Sequence, residues 1–252
     1  MVTPKVLIPM SDYGHDPTET AVPYTAFKKA GFEVSFATEH GKTPECDAKM
    51  LKGITQKLLG ATQSAVDAYY KMAETPEFQQ PLSWSSPDFT FEPYNLIFLP
   101  GGHEKSVRQL IDSHTIHRLL ASYFPATVKP STKTVAAVCH GVMVLSETKK
   151  GDKSVIHECN TTALPARFEQ SAFWGTRLFL GDYYKTYGAG SDNVETSVRK
   201  CLDDPDKQYK NSLGMNPFVV EDEKYNYLSA RFPPDAQLLA EKTIALIQST
   251  LA

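Results

Sequence analysis

The stretch TVAAVCHGVMVLS, residues 134–146, sets a run fit for a strand against a run fit for a helix, with Cys139-His140-Gly141 at the join. A continuous apolar run such as TVAAV suits a strand covered on both faces, as in a parallel sheet. The switch to helical spacing after it predicts a tight strand-to-helix turn at Cys139. Ala137 and Gly141 stand two before and two after the cysteine. A strained turn that presents a nucleophile needs small residues there, because those positions crowd neighbouring backbone. The amides that open the helix, with its dipole, favour a thiolate and a developing oxyanion. The same stretch also reads as a buried core thiol, and alone it leaves both readings open.

Outward from this junction the pattern repeats. KVLIPM (5–10) is a strand ended by the loop SDYGHDP, and TETAVPYTAFKKAGF is a helix with Thr18 as its N-cap and Gly31 as its stop. EVSFATE follows as a strand, so the opening unit is strand–helix–strand. NLIFLPGG is another buried strand. HEKSVRQLIDSHTIHRLLASYF reads as one amphipathic helix with Val107, Leu110, Ile111, Leu119 and Leu120 on its core side. The chain closes with a strand, a proline turn and a helix from Tyr225 onward. Between the second and third of these strands, residues 41–93 carry helical patches, prolines and two aromatic clusters. They read as an inserted, mostly helical cap, too short for a core of their own. Residues 1–252 are therefore expected to form one doubly wound α/β domain.

Composition narrows the functions. Hydrophobic residues are 41% and charged residues 22% of 252, as in an ordinary globular protein. The net charge is -3 with no long run of Lys or Arg, which argues against a nucleic-acid partner. No apolar run approaches the ~20 residues of a membrane span. The first residues lead directly into a strand without a signal or transit pattern, so a cytoplasmic location is expected. Cys46, Cys139, Cys159 and Cys201 are far apart and match neither a disulfide framework nor a zinc knuckle. His114 and His117 share a helix face but read as solvated, and no metal is assigned.

Ligands of open α/β sheets bind at the carboxyl ends of the strands. Three groups fall at such ends: SDYGHDPTE, PGGHE and CHG. Gly101 and Gly102 allow the backbone to approach a ligand closely. The amides of Gly102 and His140 can form an oxyanion hole, or the two glycines can simply make a turn. His140 can carry a proton near neutral pH, although adjacent side chains on such a turn diverge. Glu19, at the start of the first helix, can exchange a hydrogen bond with the Cys139 thiol or simply face solvent.

With these residues assembled, YNLIFLPGGHE, VAAVCHGV and the Glu ahead of KKAGFEVSFATE make the chain resemble the ThiJ/PfpI superfamily over most of its length. That resemblance implies the class I glutamine amidotransferase-like fold, a flavodoxin-like α/β sandwich with a mostly parallel sheet. The Gly-Gly-His and Cys-His-Gly forms are most similar to the branch of glutathione-independent glyoxalases (glyoxalase III) and stress chaperones. In that branch Cys139 corresponds to the reactive cysteine, Glu19 to the carboxylate on its sulfur, His140 to the general base and Gly102 to the oxyanion-hole glycine. The third member of the triad is an acid after a Thr, and TALPARFE offers Thr162 and then Glu169. His103 and Glu104 follow the glycines into the pocket; the branch commonly has a small residue where Glu104 stands, so a carboxylate at the pocket mouth is expected to alter substrate choice. The aromatic segment QSAFWGTRLFLGDYYKTYG is a second departure.

The implied reaction converts a 2-oxoaldehyde such as methylglyoxal to a 2-hydroxy acid without metal, glutathione or other cofactor. The implied assembly is a homodimer. A hydrolase or hydratase on amides or isonitriles, and a non-enzymatic chaperone or redox sensor with an oxidisable Cys139, are the alternatives.

Overall fold

The computed structural model describes residues 3–53, 55–56 and 60–251; positions 54 and 57–59 of the expected cap lie outside the described residues. Seven strands share one sheet. They are β1 (Lys5–Pro9), β2 (Glu33–Thr38), β3 (Leu82–Ser83), β4 (Leu96–Leu99), β5 (Thr134–Val138), β6 (Val219–Glu221) and β7 (Tyr227–Ala230). Their order across the sheet is β6-β7-β5-β4-β1-β2-β3, and every pair is parallel except β6 with β7. The main helices are α1 (Pro17–Lys29), α2 (Gln63–Ala73), α3 (His114–Tyr123), α4 (Gly141–Glu147), α5 (Ala166–Leu180), α6 (Val194–Lys200) and α7 (Ala236–Leu251).

Alternation along the strands divides the core into two layers. Leu7, Ile97, Leu99, Val135 and Ala137 face α3, α4 and α6, whereas Val6, Ile8, Leu96, Phe98 and Val138 face α1 and α7. The central strands are buried on both faces, which explains their unbroken apolar runs. The mostly parallel, doubly wound sandwich is the fold expected from the sequence.

Local details differ. Asp16, not Thr18, caps α1, its side chain accepting from the amides of Thr18 (2.8 Å) and Glu19 (3.0 Å). Gly31 stops the helix as expected, at φ +83°. The helix expected over residues 103–124 is broken: a 3-10 turn (Lys105–Val107) and a short helix (Arg108–Ile111) precede α3, which restarts where Ser113 caps Ile116. The five residues assigned to its core side are all buried.

Residues 41–93 are not a cap set apart from the sheet. Their strand β3 pairs with β2, α2 lies along α1, and their aromatics enter the main cores. Trp84 and Phe91 join one layer, Tyr69 and Phe78 the other. Segments this short bury their apolar side chains only by joining a larger core.

The topology defines one crevice. From β1 the chain winds outward through β2 and β3, then returns to β4 on the opposite side of β1 and continues to β5 and β7. The winding direction therefore reverses between β1 and β4, where such sheets bind ligands. A backbone hydrogen bond from the Asp16 amide to the Gly101 carbonyl (2.9 Å) ties the two loops together there.

Candidate active site

Cys139 has φ +58° and is the only non-glycine residue with a positive φ among the described residues. A left-handed conformation costs an L-residue about 1–2 kcal/mol. Its surroundings hold it there. Its amide donates to the Ala230 carbonyl at the end of β7 (3.1 Å). At Gly141 a Cβ would stand 2.2 Å from the Leu99 carbonyl oxygen, so the first turn of α4 rests directly on the end of β4. The expected strand-to-helix elbow is therefore present, and it is built on glycine.

The left-handed turn also brings neighbours together. His140 Nδ1 lies 3.4 Å from Cys139 Sγ, where divergent side chains were expected. On the far side of the ring, Nε2 is 2.9 Å from Thr186 Oγ1, and Thr186 Oγ1 donates to the His103 carbonyl at 2.9 Å. The hydroxyl has one proton, and a carbonyl can only accept. Thr186 therefore accepts from His140 Nε2–H, which leaves the Nδ1 lone pair facing the thiol.

Glu19 is fully buried on α1. Its Oε2 accepts from the Gly101 amide (3.0 Å), and its carboxyl interacts with the Cys139 thiol. Gly101 is indispensable at this contact, since a Cβ there would sit 2.6 Å from Glu19 Oε2 and 2.7 Å from Cys139 Cβ. Gly102 has φ +147°, and its Cβ would stand 2.5 Å from the Gly14 carbonyl oxygen. The Gly102 amide donates to no group among the described residues, whereas the His140 amide donates to the Cys139 sulfur.

Burial controls the ionisation of all these groups. It raises the Cys139 thiol and the Glu19 carboxyl well above their ordinary values, and it lowers His140 to about 3. The nearby His103 and Lys185 lower His140 further. At neutral pH the site thus holds a neutral thiol and a neutral imidazole, and burial favours the protonated form of Glu19. A protonated Glu19 adds no charge to oppose a thiolate and offers it a donor instead. The arrangement suits a thiol that loses its proton to His140 as it attacks.

Glu169 is not brought to His140. Its Oε1 pairs with Lys185 Nζ (2.9 Å), and its Oε2 accepts from the Val194 amide (2.8 Å), all nearly inaccessible to solvent. A buried lysine needs a counter-ion, and this one takes the carboxylate. The place expected for Glu169 beside the imidazole is filled by Thr186. Glu104 is likewise engaged locally: its Oε2 accepts from the Ser106 amide and caps the 3-10 turn, packed over Gly14.

The aromatic segment divides in two. Trp174, Leu178 and Phe179 on α5 are exposed. Tyr183 and Tyr184, after α5, reach the site: Tyr184 stacks on His103 with ring centres 4.4 Å apart, and Tyr183 meets the same ring edge-on at 5.1 Å. The segment from Gly181 (φ +62°) to Gly188 (φ +96°) carries both tyrosines to His103 and Thr186 to His140. Lys185, Thr186 and Asp47, whose carboxylate lies 3.7 Å from His103 Nε2, were not found from the sequence. Each reaches the site through a loop, without a motif to mark it.

Other features stand apart. Cys46, Cys159 and Cys201 are free thiols. Among the described residues no helix is long and apolar enough to cross a membrane.

Comparison with known proteins agrees with this picture. A model of the family described as ThiJ/PfpI family-like matches residues 10–213. An uncharacterized protein of Schizosaccharomyces pombe is 30% identical over 250 residues, covering 99% of this chain and 86% of that protein. Among solved structures, glyoxalase III from Candida albicans has a TM-score of 0.66 at 16% identity, over 96% of this chain and 97% of that one. Drosophila melanogaster DJ-1beta has a TM-score of 0.56 at 13% identity, over 99% and 96%. At these identities the two structures share the fold.

Proposed function

This chain belongs to the ThiJ/PfpI family, and we propose that it is a cysteine-dependent lyase of glyoxalase III type, acting on small 2-oxoaldehydes without a cofactor. The observation that carries the reading is the Nδ1 lone pair of His140 facing Cys139 Sγ at 3.4 Å, held by Thr186.

In the proposed reaction Cys139 Sγ attacks the aldehyde carbon and its proton passes to His140 Nδ1. The amides of Gly102 and His140 stabilise the oxyanion that forms, and His140 returns the thiol proton to that oxygen, which completes the hemithioacetal and frees Nδ1. His140 then takes the proton from that carbon and returns it to the adjacent carbon through an enediol, giving a thioester of the 2-hydroxy acid. Water cleaves the thioester and restores the thiol. Oxidation of one carbon balances reduction of the other, so no external electron acceptor enters. Glu19 donates to the sulfur whenever it carries charge.

The test is turnover of methylglyoxal to lactate by purified protein without glutathione. The expected result is activity in the native protein and none in Cys139→Ala. Undiminished activity in that variant would overturn the mechanism.

A second reading, a chaperone, is favoured by one observation: the exposed apolar side chains Trp174, Leu178 and Phe179, with Leu213 and Met215. It predicts suppression of aggregation that survives Cys139→Ala and is lost when the α5 side chains are made polar.

A further inference from the structure

The outer face of α5 is apolar and largely uncovered. Its inner face, with Glu169, Phe173 and Thr176, is buried. At 3.6 residues per turn, Arg167, Ser171, Trp174 and Leu178 fall in one stripe on the opposite side, and all four are exposed. Trp174 is 64% exposed and Leu178 fully so, with Phe179 next to them at 61%. The N-terminal half of the stripe borders a groove of about 550 Å³, lined by Arg167, Gln170 and Ser171 together with Trp174, Glu195 and Leu213. Leu213 and, two residues on, Met215 add further exposed apolar surface.

Monomeric proteins rarely expose one apolar patch larger than about a few hundred Å². The exposed parts of Trp174, Leu178, Phe179, Leu213 and Met215 come to roughly 700 Å², at ~200 Å² for a whole side chain. A stable interface covers roughly 800 Å² of each partner, so this patch is large enough to be most of one. Its layout indicates which partner fits. The projecting side chains stand at the C-terminal end of the stripe and the groove at its N-terminal end. Two copies of α5 packed antiparallel about a two-fold axis set each end against the other. With the axis between Ser171 and Trp174, Trp174 meets Ser171, and Leu178 meets Arg167 in the groove. The small Ser171 leaves room for the indole, and the carbon stem of Arg167 can lie along Leu178. Packed parallel, Arg167 would face its own copy, and both grooves would stay open.

We propose that this face of α5 joins two copies of the chain, antiparallel, with Trp174 and Leu178 of each seated against the groove of the other. The homodimer expected from family resemblance thereby acquires a face and a register. Pairing through α5 is independent of the chemistry at Cys139. It covers the side chains that the chaperone reading leaves open to unfolded clients, so the two readings demand opposite results.

The test is sedimentation equilibrium of the full chain. The native protein is expected at twice the mass of one chain at micromolar concentration. Leu178→Lys sets a lysine against Arg167 of the other copy. It is expected to weaken association by about 100-fold, because two-fold symmetry counts the change twice. Adding Arg167→Glu puts opposite charges across the antiparallel interface and is expected to recover at least about tenfold of that loss. Within one chain the two positions lie about three helical turns apart, too far to pair. Both residues are exposed in the single chain, so neither change disturbs the fold, which circular dichroism checks. A native protein that stays monomeric, or a dimer that Leu178→Lys does not weaken, overturns the interface. Weakening without recovery in the double variant overturns the antiparallel register and with it the proposal. A native monomer that suppresses aggregation through its open α5 face overturns the pairing in favour of the chaperone reading.

Discussion

Replacing Thr186 with valine removes one oxygen and keeps the shape of the side chain. In the native site that oxygen accepts from His140 Nε2–H and donates to the His103 carbonyl, each at 2.9 Å. Both partners are then left unpaired in a closed setting, since His140 is 2% exposed. An unpaired buried donor costs about 1–3 kcal/mol. The imidazole escapes that cost by moving its proton to Nδ1, which removes the lone pair from Cys139. With a penalty of about 2 kcal/mol, the reactive tautomer becomes about thirty times scarcer. The first assay is alkylation of Cys139 by iodoacetamide at neutral pH, followed by mass spectrometry, because it needs no assumption about substrate. The second is kcat/KM for 2-oxoaldehyde turnover. Both are expected to fall by about 10- to 100-fold in Thr186→Val, and Thr186→Ser is expected to restore most of the loss. Nitrogen-15 NMR of His140 should show protonation moving from Nε2 to Nδ1. Alkylation at the native rate in Thr186→Val, with Nδ1 still unprotonated, would refute the relay.

The rate of Cys139 alkylation should keep rising as pH passes the ordinary thiol range, because burial raises the thiol, and should show no step near 6.5, because His140 stays neutral down to about 3; a step between pH 6 and 7 would contradict this. Burial also lowers His15 to about 3, and both of its ring nitrogens lack partners among the described residues. A group depressed in the fold contributes stability above its unfolded value near 6.5 and loses it as pH falls toward 3. Relative to native protein, His15→Phe should therefore gain about 2 kcal/mol between pH 6.5 and pH 5, read as the difference in urea unfolding; a difference independent of pH would count against it. Gly141→Ala places a Cβ 2.2 Å from the Leu99 carbonyl oxygen, so α4 must move off β4. That should lower the unfolding midpoint by several degrees, since overpacking costs about 1–3 kcal/mol, and should slow Cys139 alkylation more than the stability loss explains.

What the sequence made legible follows from how local each signal is. The strands announce themselves because burial on both faces makes them continuous apolar runs, as in LIFL and TVAAV. The elbow is legible because its strain demands small residues within two positions of Cys139, where Ala137 and Gly141 stand. Glu19 was found through family resemblance, and the structure gives the physical reason it matters, the amide of Gly101. Thr186 was illegible: a threonine 46 residues from His140 becomes its partner only because α5 and the turn after it return over the sheet. How residues 41–93 join the sheet was not legible, because helical patches and prolines do not reveal that Leu82–Ser83 pairs with β2. A two-residue edge strand has too little pattern to show itself.

Glu169 shows why composition at the right spacing does not settle a role. A carboxylate at His140 would stabilise an imidazolium. Here the nearest buried cation is Lys185, and Glu169 is bound to it and to the Val194 amide. Removing a carboxylate from such a pair leaves an uncompensated buried ammonium, which costs about 3–5 kcal/mol, so the acid is committed to holding the loop that carries Thr186. The cation in turn bears on His140, lowering it further. An imidazole flanked by a hydroxyl and a neighbouring positive charge cannot keep a proton for long. It can accept one from the thiol or from carbon only if it passes it on within the same turnover. That property fits a step in which a proton leaves one carbon and returns to the next, and fits poorly with a resting thiolate–imidazolium pair. In the proposed reaction, Thr186 in place of an acid makes His140 a transient carrier, with the charge borne by the substrate oxygen and the two amides.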